Sequence, residues 1–238
     1  MHGCQASMTP TRKVCTIRVA SLIALAIPML AMPASALAED ARLALPSSGI
    51  AKVAFVVSNR ATLIDLAGPM QTFDQVQTQR GGFETFTVSE TRQPIKAGTL
   101  TIVPDYTFDD VPDADIVVVG AQTGDTEAYL GYLRRMHVRG KLMLSVCTGA
   151  SKFARAGLLD GKDATTHHDF IAEFQQRFPK VHFIPDRAYV HSDPMVFTAG
   201  GETSGIELAL HIIELYFDHA TAVRTARYME YRGPDWQR

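Results

Sequence analysis

The sequence predicts an α/β domain in which a mostly parallel sheet is covered by helices. Short β-branched, apolar runs alternate with segments of helical periodicity along the chain, which is typical of that class. The plainest apolar runs, at residues 52–57 and 115–119, are typical of buried strands. Residues 39–238 contain no internal repeat, linker or charge run, so we expect one domain there.

Each predicted element has a local signal. The first helix, at residues 65–79, carries Met70, Phe73 and Val76 on one face. A helix at 148–156 ends at Gly157, a typical residue just after a helix, and Pro179 stops the one at 168–178. The other predicted elements are strands at 84–89, 141–146 and near 164–166, 181–183, 189–191 and 195–198, a hairpin at 94–101, and helices at 126–136, 205–217 and 219–231.

The N-terminus has the pattern of an export signal. Basic residues precede an apolar stretch at 19–32, no acidic residue occurs before Glu39, and small residues at Ala36 and Ala38 fit a cleavage site. The apolar stretch is shorter than the ~20 residues that span a membrane. We therefore predict a signal peptide at 1–38, a domain at 39–238, a periplasmic or secreted protein, and no stable membrane association after cleavage.

Charge and cysteine content narrow the function classes. The 23 basic and 25 acidic residues nearly balance, whereas a nucleic-acid binder usually carries a basic face, so we expect no nucleic-acid partner. Of the three cysteines, Cys4 and Cys15 precede the predicted cleavage site. Cys147 would remain without a disulfide partner, either as a small buried hydrophobe or as a reactive thiol.

The position of Cys147 favours the reactive thiol. A buried strand runs directly into Cys147-Thr148-Gly149-Ala150, and such a strand–turn–helix elbow exposes the side chain at its tip. The free N–H groups and positive end of the following helix stabilise a thiolate, so we expect a lowered pKa for Cys147. The same groups would stabilise an anion that develops on the substrate.

A second candidate, Asp65, follows the first strand. Ligands of α/β sheets bind at the carboxyl ends of the strands, which is where Asp65 would lie. The alternative is a helix cap, for which aspartate is well suited.

Together these residues resemble the ThiJ/PfpI superfamily, class I glutamine amidotransferase-like proteins. The matching segments are Ile64-Asp-Leu-Ala-Gly-Pro69, Val117-Val-Val-Gly120, Ser145-Val-Cys-Thr-Gly-Ala150, Ala156 to His167, Arg177-Phe-Pro179 and Gly200 to His211. The resemblance covers about residues 50–231 and is closest to the isonitrile hydratase branch and to the amidotransferase-like domain of AraC-type regulators. It implies a flavodoxin-like three-layer sandwich and a homodimer.

The resemblance also implies roles for individual residues. Cys147 would be the nucleophile, Asp65 the proton donor, and Thr148 part of the pocket. Asp65 beside a thiolate is expected to have a raised pKa, as a general acid requires. Gly120 and Ala121 would supply oxyanion donors, and His167 would contact the pocket. The implied reaction is a lyase reaction that hydrates an isonitrile to an N-substituted formamide, without cofactor or metal.

The sequence differs from the ThiJ/PfpI pattern at two positions near the implied site. The loop at 120–124 reads Gly-Ala-Gln-Thr-Gly where many relatives have a Pro-Gly-Gly-type turn, and His168 stands where an aromatic residue is frequent.

The histidines and aspartates at 167–169, 191 and 193 match no standard zinc spacing, so we predict no metal. Two alternatives remain open: a periplasmic ligand-binding or thiol stress-sensing module, and a glyoxalase or deglycase-type enzyme.

Overall fold

A central sheet of seven strands organises residues 43–236, the part of the chain that the computed structural model describes. The strands are β1 (Ile50–Val56), β2 (Gly82–Ser89), β3 (Ile95–Ala97), β4 (Leu100–Ile102), β5 (Tyr106–Thr107), β6 (Ile116–Val119), β7 (Leu142–Ser145), β8 (Asp163–Ala164), β9 (His182–Phe183), β10 (Tyr189–Asp193) and β11 (Val196–Ala199). Their order in the sheet is β10-β11-β7-β6-β1-β2-β5. Only β10 runs antiparallel to its neighbour there, so the sheet is mostly parallel, as predicted.

Six α-helices of residues 43–236 cover the two faces of the sheet. They are α1 (Leu63–Asp74), α2 (Glu127–Val138), α3 (Ala150–Arg155), α4 (Ile171–Arg177), α5 (Ser204–Tyr216) and α6 (His219–Tyr228). Helices α1, α5 and α6 share one core with alternate strand residues such as Val53 and Phe55. Helices α2, α3 and α4 share the other with Ala54 and Val56. This alternation produces the flavodoxin-like three-layer sandwich, because successive strand residues face opposite sides of a sheet.

The predicted elements exist, with shifted bounds. Helix α1 begins at Leu63 and ends at Asp74, five residues before the predicted end, because residues 75–79 leave the helix. The predicted helices at 148–156 and 168–178 each begin with a 3-10 turn, at Cys147–Gly149 and His168–Phe170. Strand β5, which has two residues, was not predicted.

The sheet brings the candidate residues together at one edge. Strands β1, β6, β7 and β11 are parallel neighbours, so their carboxyl ends meet. Asp65 follows β1, Gly120 follows β6, Cys147 follows β7 and Gly200 follows β11.

None of the helices within residues 43–236 is long and apolar enough to cross a membrane. The predicted signal peptide lies outside the described residues.

Candidate active site

Cys147 occupies a strained elbow between β7 and a 3-10 turn. Its φ is +58°, in the left-handed region that residues with a Cβ rarely adopt. Its backbone is held on both sides: its N–H donates to the Gly200 carbonyl (2.8 Å) and its carbonyl accepts from the Thr166 hydroxyl (2.9 Å). Strain of this kind persists only where the surroundings fix it, and it is concentrated at functional sites. The elbow that the sequence predicted is therefore present, but the Cys147 side chain at its tip is buried and not exposed as expected.

Asp65 lies in the first turn of α1 and is fully buried. The residue at the helix N-cap is Thr62, so the capping alternative for Asp65 is wrong. One carboxylate oxygen, Oδ2, accepts from the Ala121 N–H at 2.8 Å. The other, Oδ1, has no hydrogen bond of good geometry within residues 43–236. A buried carboxylate that is only partly paired is costly, so its position calls for a function.

Burial raises the pKa of Asp65 to about 6, the direction that the sequence predicted. Desolvation is the largest cause, and the negative charge of Glu202 adds to it. The Ala121 N–H and the Cys147 thiol act in the opposite direction because each stabilises the carboxylate. Asp65 and Cys147 are therefore direct neighbours.

The expected lowering of the Cys147 pKa is wrong. Burial of the sulfur, followed by the nearby Asp65 carboxylate, raises the pKa of the thiol to about 11. The N–H groups of Thr148 and Glu202 donate to the sulfur and lower the pKa, but by less than desolvation raises it. The helix N-terminus was expected to prevail, yet an adjacent carboxylate and a dry site outweigh it.

Asp65 and the Cys147 thiol titrate as a coupled pair, because the charge on each group changes the pKa of the other. Between the two pKa values, about 6 and about 11, the thiol keeps its proton and the carboxylate is ionised. Asp65 is then placed to take the thiol proton as the sulfur attacks an electrophile, and to deliver it afterwards.

A cavity of about 320 Å³ lies beside the residues that hold the Cys147 backbone. It is lined by residues 166–168, 186–188, 200–202 and 204. Thr166, Gly200 and Glu202, which line it, all hydrogen-bond to Cys147 through the contacts described above. The cavity has room for a small ligand.

The residues predicted for the pocket occupy distinct positions. The N–H of Ala121 is already bonded to Asp65, so Ala121 supports the aspartate, which corrects its expected role as a free oxyanion donor. Gly120 permits this approach, because a Cβ there would lie 2.7 Å from the Cβ of Asp65. His167 lines the cavity and packs against Gly201, where a Cβ would lie 2.5 Å from the imidazole ring. Thr148 is half-buried, and its N–H faces the sulfur.

Sequence reasoning missed Glu202. This residue has a φ of +46°, donates its N–H to the Cys147 sulfur and lines the cavity. The available signal was its place just after a short predicted strand, where ligands of parallel sheets bind. That β11 lies beside β7, however, follows only from the sheet order.

Three consecutive residues could offer ligands to a metal. Side-chain atoms of His167, His168 and Asp169 lie within 4.8 Å of one another, and two of the three residues are exposed. His191 instead stacks on Phe197, and Asp193 pairs with Lys162, so neither joins them. The prediction of no metal stays a prediction.

Comparisons with known proteins show which family the chain resembles. Residues 51–215 match the model of the DJ-1/PfpI family. The chain is 30% identical to isonitrile hydratase of Pseudomonas putida over 189 residues, covering 76% of this chain and 78% of that protein. It is 32% identical to the HTH-type transcriptional regulator GbdR of Pseudomonas aeruginosa over 169 residues, covering 68% of this chain but only 45% of the regulator.

Solved structures show the same fold. A ThiJ/PfpI family protein from Pseudomonas syringae superposes with a TM-score of 0.64 at 25% identity, covering 90% of this chain and 86% of that one. An AraC family transcriptional regulator from Pseudomonas putida gives 0.67 at 18% identity, covering 75% and 99%. With the family model matching well over half of its residues, the chain belongs to the DJ-1/PfpI family.

Proposed function

We propose that this protein is a cysteine-dependent hydratase that converts a small isonitrile to an N-substituted formamide. The observation that carries the proposal is the direct contact between a buried, incompletely paired Asp65 and the strained Cys147. The similarity to isonitrile hydratase over 76% of this chain supports the choice of substrate class.

In the first half of the reaction, the Cys147 sulfur attacks the terminal carbon of the isonitrile. Asp65 takes the proton from the thiol as the S–C bond forms, and delivers it to the same carbon. The product is a thioimidate, in which the carbon is bonded to sulfur and hydrogen and doubly bonded to nitrogen. The raised pKa of the thiol requires such a base at neutral pH.

In the second half, water adds to the thioimidate carbon and the C–S bond breaks. The nitrogen gains one water proton, the oxygen becomes the formamide carbonyl, and the other proton returns to the sulfur. The N–H groups of Thr148 and Glu202, which face the sulfur, would stabilise the departing thiolate. The balance is one isonitrile plus one water giving one formamide, with no cofactor.

A ligand-binding or thiol-sensing module is the second candidate. The similarity to GbdR over 68% of this chain favours it, and the chain spans less than half of that regulator. Oxidation sensing requires a thiolate, whereas the pKa of Cys147 is raised, so simple ligand binding is the stronger form of this alternative.

The test is turnover of a panel of isonitriles, with formamide identified by mass spectrometry and Cys147→Ser as the control. Formamide from wild type alone supports the hydratase. Turnover of methylglyoxal without formamide would assign a deglycase-type activity. Ligand binding without turnover, or a stable sulfenate or sulfinate at Cys147, would instead assign a binding or sensing module.

We also propose export with cleavage near Ala38/Glu39, and a homodimer in the mature protein. The motivation for export is the order of basic, apolar and small residues at 1–38. Intact mass of natively expressed protein tests cleavage, and sedimentation tests the dimer. A full-length mass in the cytosolic fraction would contradict export, and a monomer at high concentration would contradict the dimer.

A further inference from the structure

Glu202 is an acidic residue near the reacting pair that the proposed reaction does not use. Its backbone N–H donates to the Cys147 sulfur, and the residue lines the cavity beside the residues that hold that cysteine. The left-handed φ of +46° is one that glycine adopts more readily, yet a long charged side chain occupies this position. Glu202 therefore carries a charged side chain on a backbone position that contacts the nucleophile.

The Glu202 carboxylate has no partner of its own. The side chain is exposed, and within residues 43–236 it forms no hydrogen bond or ion pair. Its charge is nevertheless felt at the site, since it disfavours ionisation of both Asp65 and Cys147. An unpaired carboxylate whose charge acts on the reacting centre is available to a ligand.

The other charges of the cavity define what it would accept. Asp186 is a second acidic residue in the lining, and Arg187 is the basic one. The imidazoles of His167 and His168 line the cavity as well. The charged groups that act on the sulfur, Asp65 and Glu202, are both acidic. The field at the nucleophile is therefore negative, and it disfavours an approaching anion.

We propose that Glu202 is a specificity-determining residue, and that the substrate is a small electrophile bearing a protonated amine or another cationic hydrogen-bond donor. The carboxylate would pair with that donor in a charge-assisted hydrogen bond and orient the electrophilic carbon toward Cys147. The same charge would exclude anionic electrophiles. This inference rests on the proposed function for the reaction itself, but the charge selection is measurable without turnover.

The experiment compares two thiol reagents of similar size and opposite charge on the full chain. The reagents are trimethylammonioethyl and sulfonatoethyl methanethiosulfonate, and labelling is followed on the peptide that contains Cys147. Each rate is divided by that of free 2-mercaptoethanol. The ratio of the two normalised rates cancels changes in the thiolate fraction, which affect both reagents equally.

We expect wild type to favour the cationic reagent by about tenfold or more, because one nearby charge acts with opposite sign on the two probes. Glu202→Gln should reduce this preference at least severalfold. Glu230→Gln is the matched control, since Glu230 is also an exposed glutamate with positive φ, and it should leave the ratio unchanged.

Three results would overturn the proposal: equal normalised rates in wild type, an unchanged preference in Glu202→Gln, or a preference for the anionic reagent that Arg187→Gln removes. A second arm compares turnover of an aminoalkyl isonitrile with that of isocyanoacetate. Absence of both formamides with the cationic preference intact would reject the hydratase and leave charge selection standing. Faster turnover of isocyanoacetate would reject the selection alone.

Discussion

Two carboxylates, on helices that cover the same face of the sheet, differ in how fully they are hydrogen-bonded. Both carboxylate oxygens of Glu207 in α5 accept a hydrogen bond. The Tyr231 hydroxyl donates to Oε1 at 2.8 Å and the Trp236 indole N–H donates to Oε2. Asp65 of α1 is more deeply buried, yet one oxygen lacks a hydrogen bond of good geometry in the described part of the chain.

The difference separates a structural acid from a reactive one. Both hydrogen bonds of Glu207 fasten the C-terminal tail, and Trp236 is consequently buried. Asp65 instead carries a desolvation cost that a well-paired carboxylate would not, and its incomplete pairing leaves it able to exchange a proton with Cys147. Changes at Asp65 should therefore slow the reaction, whereas changes at Glu207 should lower stability without slowing the reaction.

The largest effect is expected for Cys147→Ser. Serine in this position keeps the size of the side chain, but its hydroxyl is far harder to deprotonate than a thiol, so formamide production should be abolished. Product assays with matched circular dichroism spectra check this. Turnover at a tenth of the wild-type rate or more would mean that another residue is the nucleophile.

Asp65→Asn should lower kcat/KM for an isonitrile by roughly 10²–10⁴-fold, since it removes the proton-transfer group. The amide oxygen still accepts from the Ala121 N–H, so the fold should be kept. In wild type, kcat/KM should rise with pH through about 6, as Asp65 ionises. In Asp65→Asn, kcat/KM should no longer rise with pH in this range. Rates measured across pH 4.5–9 decide it, and wild-type activity in the variant would exclude Asp65 from the mechanism.

Wild-type stability should fall as pH rises through about 6. The folded-state pKa of Asp65 is raised from 3.8 to about 6, so the protonated acid stabilises the fold below about pH 4, and this contribution is lost above the folded pKa. The shift corresponds to up to about 3 kcal/mol. Urea unfolding of wild type and of Asp65→Asn, measured below about pH 4 and above about pH 6, isolates the contribution of Asp65. An equal pH dependence of the two proteins would count against the raised pKa.

Glu207→Gln should destabilise the fold by about 1–2 kcal/mol, because a neutral amide replaces the charged acceptor of the hydrogen bonds from Tyr231 and Trp236. Activity per folded molecule should stay at the wild-type level. Urea unfolding and product assays on the same sample measure both quantities. Loss of kcat without loss of stability would remove the contrast between the two acids.

The fold could be predicted because its signals are local. The apolar runs at β1 and β6 and the periodicity of α1 and α5 each specify an element without reference to the rest of the chain. The predicted ends of α1 show the limit, since helix ends depend on tertiary contacts.

The proximity of the candidate residues and the raised pKa of Asp65 could be predicted, but the pKa of Cys147 and the role of Glu202 could not. Cys147 and Asp65 follow strands, and the carboxyl ends of parallel strands converge, so their proximity could be expected. The pKa of Cys147 could not, because it depends on how deeply the sulfur is buried and on which charges surround it. Glu202 was missed for the same reason: its distance from Cys147 depends on the pairing of β7 with β11.

The central claim is that a protonated Cys147 thiol lies beside an ionised Asp65 carboxylate at neutral pH. Titration of the thiolate by ultraviolet absorbance, as the difference between wild type and Cys147→Ser, measures it directly. We expect a midpoint near 11 in wild type, and a lower midpoint in Asp65→Asn, because that variant removes the neighbouring negative charge. A wild-type midpoint at or below ~8.5, the ordinary value for cysteine, would contradict the account.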